Sequence, residues 1–363
     1  MTVRKTFFGV SPWNFFVPFA ACLLLVAFFG KPLGTGLLWL VAFVLIAAVF
    51  VAVHHAEVVA HAVGEPFGTL ILALAVTIIE VALIVSLMMS GGPASTALAR
   101  DTVFATVIIV CNGVVGICLL LGALRHHFMV FRVEGTSPLL SVLIALTGLT
   151  LILPAFTTTT PGPTLTKTQL IFTGAMSLAL YCVFVFIQTV RHRDYFLPVG
   201  VGNDGAHAPP PAKRTTFASF FLLVVALVAV VGLAKTLAPS IEHGVKAIAA
   251  PPSVVGIAIA LLVLLPETFA AVNSALRNRM QTSINLALGS ALATIGLTVP
   301  AVAAVSIVLE MPLALGLAPK EMAMLALTLL LSVLTFASGK STVLQGSVHL
   351  VLFAAFLVLS VIP

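Results

Sequence analysis

Apolar positions along the chain form long unbroken runs, separated by short polar breaks. A run of about 20 apolar residues spans the hydrocarbon core of a bilayer. Windows of that length predict eleven helices, at 13–29, 34–53, 67–89, 102–124, 138–156, 169–190, 216–236, 252–275, 282–308, 321–338 and 342–361. The breaks carry turn chemistry: Gly30-Lys31-Pro32-Leu33-Gly34, Gly91-Gly92-Pro93, Pro161-Gly162-Pro163, Pro209-Pro210-Pro211, Pro251-Pro252 and Gly339-Lys340. Strands of a membrane barrel would alternate polar and apolar residues. The pattern therefore predicts an all-α polytopic membrane protein.

Two positions interrupt the apolar pattern at depth. Glu80 lies near the middle of the third run and Glu267 near the middle of the eighth. A charge at the bilayer centre costs about 2.5–3.5 kcal/mol on insertion scales. Most of the other carboxylates, Glu65, Asp101, Glu134, Asp194, Asp204, Glu242, Glu310 and Glu321, fall at loops or predicted helix ends. The second to sixth helices make one set of five, and the seventh to eleventh another. Each set carries its glutamate on its second helix. Because five is odd, the sets have opposite orientation, the plan of an inverted repeat. The predicted organisation is a first helix at 1–33, a five-helix repeat at 34–190, a cytoplasmic linker at 191–215 and a second five-helix repeat at 216–363.

Composition narrows the class. The 363 residues are 61% hydrophobic and 8% charged, with mean hydropathy +1.23, whereas soluble domains carry about 25% charged residues. A soluble globular protein is excluded. Arg4 and Lys5 precede an apolar run with no small-residue cleavage site, which reads as a first membrane helix and not a cleaved signal. The net charge of +6 is scattered over short loops, so it does not point to nucleic acid. Its distribution reports topology instead. With the N-terminus in the cytoplasm, eleven of the 17 basic residues fall on inner loops: Arg4, Lys5, Arg125, Arg132, Arg191, Arg193, Lys213, Arg214, Arg277, Arg279 and Lys340. Lys31, Arg100, Lys167, Lys235, Lys246 and Lys320 fall outside. This bias predicts an inner-membrane protein with its N-terminus in and its C-terminus out. Cys22, Cys111, Cys118 and Cys182 all lie in apolar runs and read as buried small hydrophobes.

Burial disfavours a bare carboxylate, so an intramembrane glutamate holds either a proton or a cation. Hard cations such as Ca²⁺ and Na⁺ take oxygen ligands. Competition between the two at Glu80 and Glu267 is the simplest antiport chemistry. Thr77 lies three residues before Glu80; Thr268, Asn273 and Ser274 follow Glu267. Pro266 removes a backbone donor beside Glu267, and a helix broken there would free carbonyl oxygens for a cation. Asn112 and Ser290, on the helices that follow, are candidates to line the ion path. Gly113, Gly116 and Gly289 read as close-packing positions. His54, Glu57 and His61 share one helical face; a polar interfacial turn is the plainer reading, a proton relay, pH sensor or cation-capture site the functional one. His126, His127 and His192 read as loop residues in solvent.

At these residues the chain resembles a known family. GEPFGTLILALAVTIIEVALIVSLM with RDTVFATVIIVCNGVVGICLLLGALR, and LLPETFAAVNSALRNRMQTSINLALGSALATIGLTVPAV, resemble the two α-repeats of bacterial Cha-type sodium–calcium/proton antiporters of the calcium/cation antiporter superfamily. The resemblance implies that Glu80 and Glu267 are the paired ion-binding carboxylates. The superfamily's usual Gly-Asn-Ala before the glutamate is incomplete here: the residues are Thr77-Ile78-Ile79-Glu80 and Leu264-Leu265-Pro266-Glu267. The expected function is export of Ca²⁺, with Na⁺ and K⁺ as alternatives, in exchange for H⁺ by alternating access. A cation channel or a carrier without proton coupling is the rival. An intramembrane enzyme built on His54, Glu57 and His61 would need further ligands at the same depth. No cofactor is expected, and no nucleotide site is visible. The expected partners are membrane lipid and the transported ions, with self-association into a homo-oligomer left open.

Overall fold

Among the described residues, eleven apolar helices follow one another as the hydrophobic pattern predicts. In this computed structural model they are α1 Pro12–Phe28, α2 Thr35–Val63, α3 Phe67–Ser90, α4 98–126, α5 133–155, α6 167–191, α7 Lys213–Ala247, α8 Ser253–Leu276, α9 280–308, α10 Pro319–Ala337 and α11 Val343–Val361. Ten are long and apolar enough to cross a membrane, and α1 is a shorter apolar helix. The structure describes residues 9–31, 33–64, 67–90, 96–197, 211–247, 251 and 253–362. Arg4, Lys5, Glu65, Asp204 and the turns at Gly91–Pro93 and Pro209–Pro210 lie outside the described residues, as do the side chains of Glu242 and Lys246.

Helix ends show why the chain stops and starts where it does. At α1, Pro12 fills the first turn and Ser11 accepts a hydrogen bond from the amide of Asn14 (3.3 Å). Thr166 and Gln169 form a reciprocal capping box at α6, and the amide of Ala318 donates to Glu321 at α10 (2.9 Å). Glu321 therefore caps a helix. Two helices run well past their predicted ends, α2 to Val63 instead of 53 and α7 to Ala247 instead of 236. The segment His54–Val63 continues α2 instead of forming a turn. Pro266 does not break α8, which runs as one helix from Ser253 to Leu276. Its missing N–H leaves the Leu262 carbonyl without the usual helical donor. The irregular backbone appears elsewhere, as wide π turns: Ile109–Val114 in α4 and Thr294–Thr298 in α9, both in mid-helix, with others at the ends of α5 and α6.

The helices pack as two compact units that do not follow the consecutive halves of the sequence. One comprises 1–91 with 203–248, hence α1, α2, α3 and α7; the other comprises 92–202 with 249–363. In the first, α2 buries a stripe at Val41, Leu45, Ala48, Ala52, Ala56 and Val59, and α7 one at Leu222, Ala226, Ala229, Leu233 and Leu237. The three- and four-residue spacing keeps each stripe on one face, and the alanines let helix axes approach. In the second unit glycines do that work. A Cβ on Gly346 of α11 would stand 2.5 Å from the Leu120 amide nitrogen and 3.0 Å from the Gly116 carbonyl oxygen of α4. Gly113 and Gly116 in turn face Phe353, His349 and Leu350. Beside Gly289 there is open space.

At one end of the second unit, β1 (Met129–Val130) pairs antiparallel with β2 (Lys340–Ser341). Gln281 accepts from the Arg132 amide (2.7 Å) and donates to Asn285, which donates to the Phe196 carbonyl (2.6 Å). His126, expected in solvent, is part-buried and hydrogen-bonds the Leu276 carbonyl at the end of α8 (3.0 Å). Cys22 is half-buried, Cys111 and Cys118 are buried as expected, but Cys182 is exposed on α6. A cysteine in an apolar run needs no protein neighbour when the face it occupies meets lipid.

Gly346→Val would drive two branched methyls into the α4 backbone. We expect it to lower the melting temperature in detergent by more than about 3 °C, from an overpacking cost of about 1–3 kcal/mol. Gly289→Ala, with room for its methyl, should leave the melting temperature unchanged or raised; thermal unfolding of both purified variants checks the pair.

Candidate functional site

Each of the two glutamates is described within its own unit. Glu80 sits in the middle of α3 and is 1% exposed, among Val76, Ile79, Leu83 and Ile84 of its own helix. Thr77, one turn earlier on the same face, is also buried. Neighbouring helices α2 and α7 pack on α3. Glu267 sits in the middle of α8 and is partly exposed, with its Oε2 buried. Thr268 beside it donates to the Leu264 carbonyl (2.7 Å), which leaves its hydroxyl oxygen able to accept. Glu80 and Glu267 are hard oxygen donors of the kind that Ca²⁺ or Na⁺ takes.

The flanking candidates divide. Asn273 is exposed near the end of α8, about 9 Å along the helix axis from Glu267. Ser290 is partly exposed on α9, and its carbonyl accepts the Thr294 amide where the π turn begins. Asn112 is fully buried in the π turn of α4, with both ends of its amide engaged. Its Nδ2 donates to Thr328 of α10 (2.8 Å), and its Oδ1 meets Nδ1 of His349 on α11 (3.0 Å). Thr335 Oγ1 meets the other ring nitrogen, Nε2 (3.0 Å).

His54, Glu57 and His61 do share one face of α2, and all three are exposed. Among the described residues, no three His, Cys, Asp or Glu groups cluster closely enough to hold a metal ion. The buried histidine of that segment is His55, whose Nε2 meets the Asn14 carbonyl of α1 (3.0 Å). Sequence reasoning also passed over His349, Gln281 and the burial of Asp101, which pairs with Arg100 in the first turn of α4 (2.8 Å). A signal existed for His349: one imidazole within the apolar stretch SVHLVLF. Asp101 does lie at a helix end, in the first turn of α4, which begins at Leu98.

The sodium/calcium exchanger protein family matches residues 33–190 and 218–362. The chain is 48% identical to the Sinorhizobium fredii protein y4hA, whose name describes an ionic transporter, over 98% of this chain and 97% of that one. It is 36% identical to the sodium-potassium/proton antiporter ChaA of Escherichia coli, over 86% of this chain and 85% of the relative. The fold resembles the solved structure of native YfkE, with a TM-score of 0.72 at 16% identity, covering 96% of this chain and all of that one. The matched segments contain both glutamate helices, and the chain belongs to the sodium/calcium exchanger family, a family of membrane transporters and not of enzymes.

Proposed function

We propose that the chain is a multi-pass inner-membrane cation/proton antiporter that exports Ca²⁺ in exchange for H⁺ by alternating access. Glu80 and Glu267 are the ion-binding carboxylates. The observation that carries the reading is a repeated placement. Each glutamate lies mid-way along a 24-residue apolar helix, and each such helix is followed by one of 29 residues with a π turn in its middle. This matching irregularity supports two repeats, at 34–190 and 216–363, with one carboxylate apiece. A carboxylate out of water is stable only when neutralised, so proton and cation exclude each other there. Exchange of unequal charge would also draw on the membrane potential, about 2.3 kcal/mol per elementary charge per 100 mV.

Ca²⁺ leads because carboxylates suit a hard divalent cation, and YfkE is described as a Ca²⁺/H⁺ antiporter. A second reading, exchange of Na⁺ or K⁺, has support from the name of the Escherichia coli relative. Thr77, Thr268 and Ser290 are proposed to contribute oxygens along the path. The exposed face of His54, Glu57 and His61 is proposed as a regulatory or proton-relay surface.

In everted vesicles with an acid interior, adding Ca²⁺, Na⁺ or K⁺ in turn is expected to make the interior more alkaline, and the responding ion names the substrate. Glu80→Gln and Glu267→Gln should each abolish the response while the protein remains inserted. A wild-type protein that moves no protons with any of the three ions would falsify antiport, and cation current without proton movement would favour a channel. A phosphatase active only outside the cytoplasm is expected to work when fused after Pro363 and to be inactive when fused at Ala212; the reverse result inverts the topology.

A further inference from the structure

The second unit contains a chain of buried polar side chains that the antiport reading leaves unused. It links Asn112 of α4, Thr328 and Thr335 of α10, and His349 of α11, all of them buried. Its direction follows from the available partners. Thr328 donates its own hydroxyl hydrogen to the Met324 carbonyl (2.8 Å), so it accepts from Asn112 Nδ2. That orients the amide with Oδ1 toward His349, whose Nδ1 must therefore carry the hydrogen. The other ring nitrogen then accepts from the Thr335 hydroxyl. One hydrogen-bond sense runs through all four groups: Thr335 to His349 to Asn112 to Thr328.

The ring sits where α11 approaches α4 most closely. A Cβ on Gly116 would lie 3.1 Å from His349 Cβ, and Gly346, one turn before His349, rests on the Leu120 amide. Small residues on both helices thus bring the imidazole within reach of Asn112. The residue it holds lies inside the π turn Ile109–Val114. A π turn carries an extra residue outside the regular i→i−4 ladder, so its shape depends on side-chain support more than an α turn does. The same turn packs against α8, the helix of Glu267.

We propose that His349 is a positioning residue for cation binding: its Nδ1–H bond to Asn112, braced by Thr335, holds the π turn of α4 in place against the helix that carries Glu267. The assignment rests on the antiport reading above. Without the imidazole donor, Asn112 Oδ1 is a buried acceptor with one partner fewer, and its amide can rotate away from Thr328. The π turn then loses its link to α11, and the surface it offers α8 loosens. Cation affinity should suffer more than maximal rate.

Initial rates of cation-driven proton movement in proteoliposomes, measured across cation concentrations, test this. His349→Leu, similar in bulk but unable to donate, is expected to raise the half-saturating cation concentration by about tenfold, with maximal rate changed by less than about threefold. His349→Asn, whose amide can donate near the Nδ1 position, should recover most of that affinity. Thr335→Val, which removes only the brace on Nε2, should give a smaller rise in the same direction. A leucine variant that inserts and keeps wild-type half-saturation overturns the proposal. So does an asparagine variant as impaired as leucine. If the leucine variant does not insert, Thr335→Val with wild-type half-saturation overturns it instead. Should the wild-type protein itself move no protons, the antiport reading fails, and this assignment with it.

Discussion

Hydrocarbon offers a polar group no water, and most of this structure answers that single constraint. Backbone amides are satisfied within helices, which is why the chain is helical wherever it is apolar. Hydroxyls on those helices turn back on themselves. Thr102, Thr147, Thr150, Thr236, Thr268, Thr328 and Ser332 each donate to the carbonyl four residues earlier. Larger polar groups cannot do this alone, so Asn112 and His349 reach across helices to each other. A carboxylate has no hydrogen to give once ionised. Glu80, in the middle of α3 with almost no exposed surface, is therefore in a demanding position.

The helices approach one another through small side chains because apolar side chains gain little by leaving lipid for protein. Alanines do this on α2 and α7, glycines on α4 and α11. Close contact in turn gives short polar side chains the reach to bond across. The Asn112–His349 bond exists because Gly116 and Gly346 remove the bulk that would hold α4 and α11 apart. Packing and polar satisfaction are thus one arrangement in the second unit, and a bulky residue at either glycine would disturb both.

Some of the candidate site was readable as chemistry and some was not. Glu80 and Glu267 stand out because a carboxylate in an apolar run has few structural uses. The irregular backbone was expected at Pro266, since proline removes a donor. The structure keeps α8 continuous there and places mid-helix π turns in α4 and α9, where no residue type announces them. The π turn of α4 falls at Cys111-Asn112-Gly113, a sequence equally compatible with a regular helix. His55 and His349 were passed over for the opposite reason. A single histidine in an apolar stretch does not reveal whether its ring meets lipid, water or a partner 41 or 237 residues away.

The class, the eleven helices to within a few residues at most of their ends, and the two acids at depth were all legible along the chain. These are local properties: a run of side chains has the length and hydropathy to cross a bilayer regardless of its neighbours. Folding alone sets which helices pack together, grouping α7 with α1, α2 and α3 although α6 precedes it in the chain. It also sets which face of each helix is buried, so that Cys118 is enclosed and Cys182 is not, and His55 is enclosed while His54 beside it is open. In lipid both faces of a helix can be apolar. Periodicity then no longer marks the inside, and the choice passes to the shapes and hydrogen-bonding reach of residues far apart in the chain.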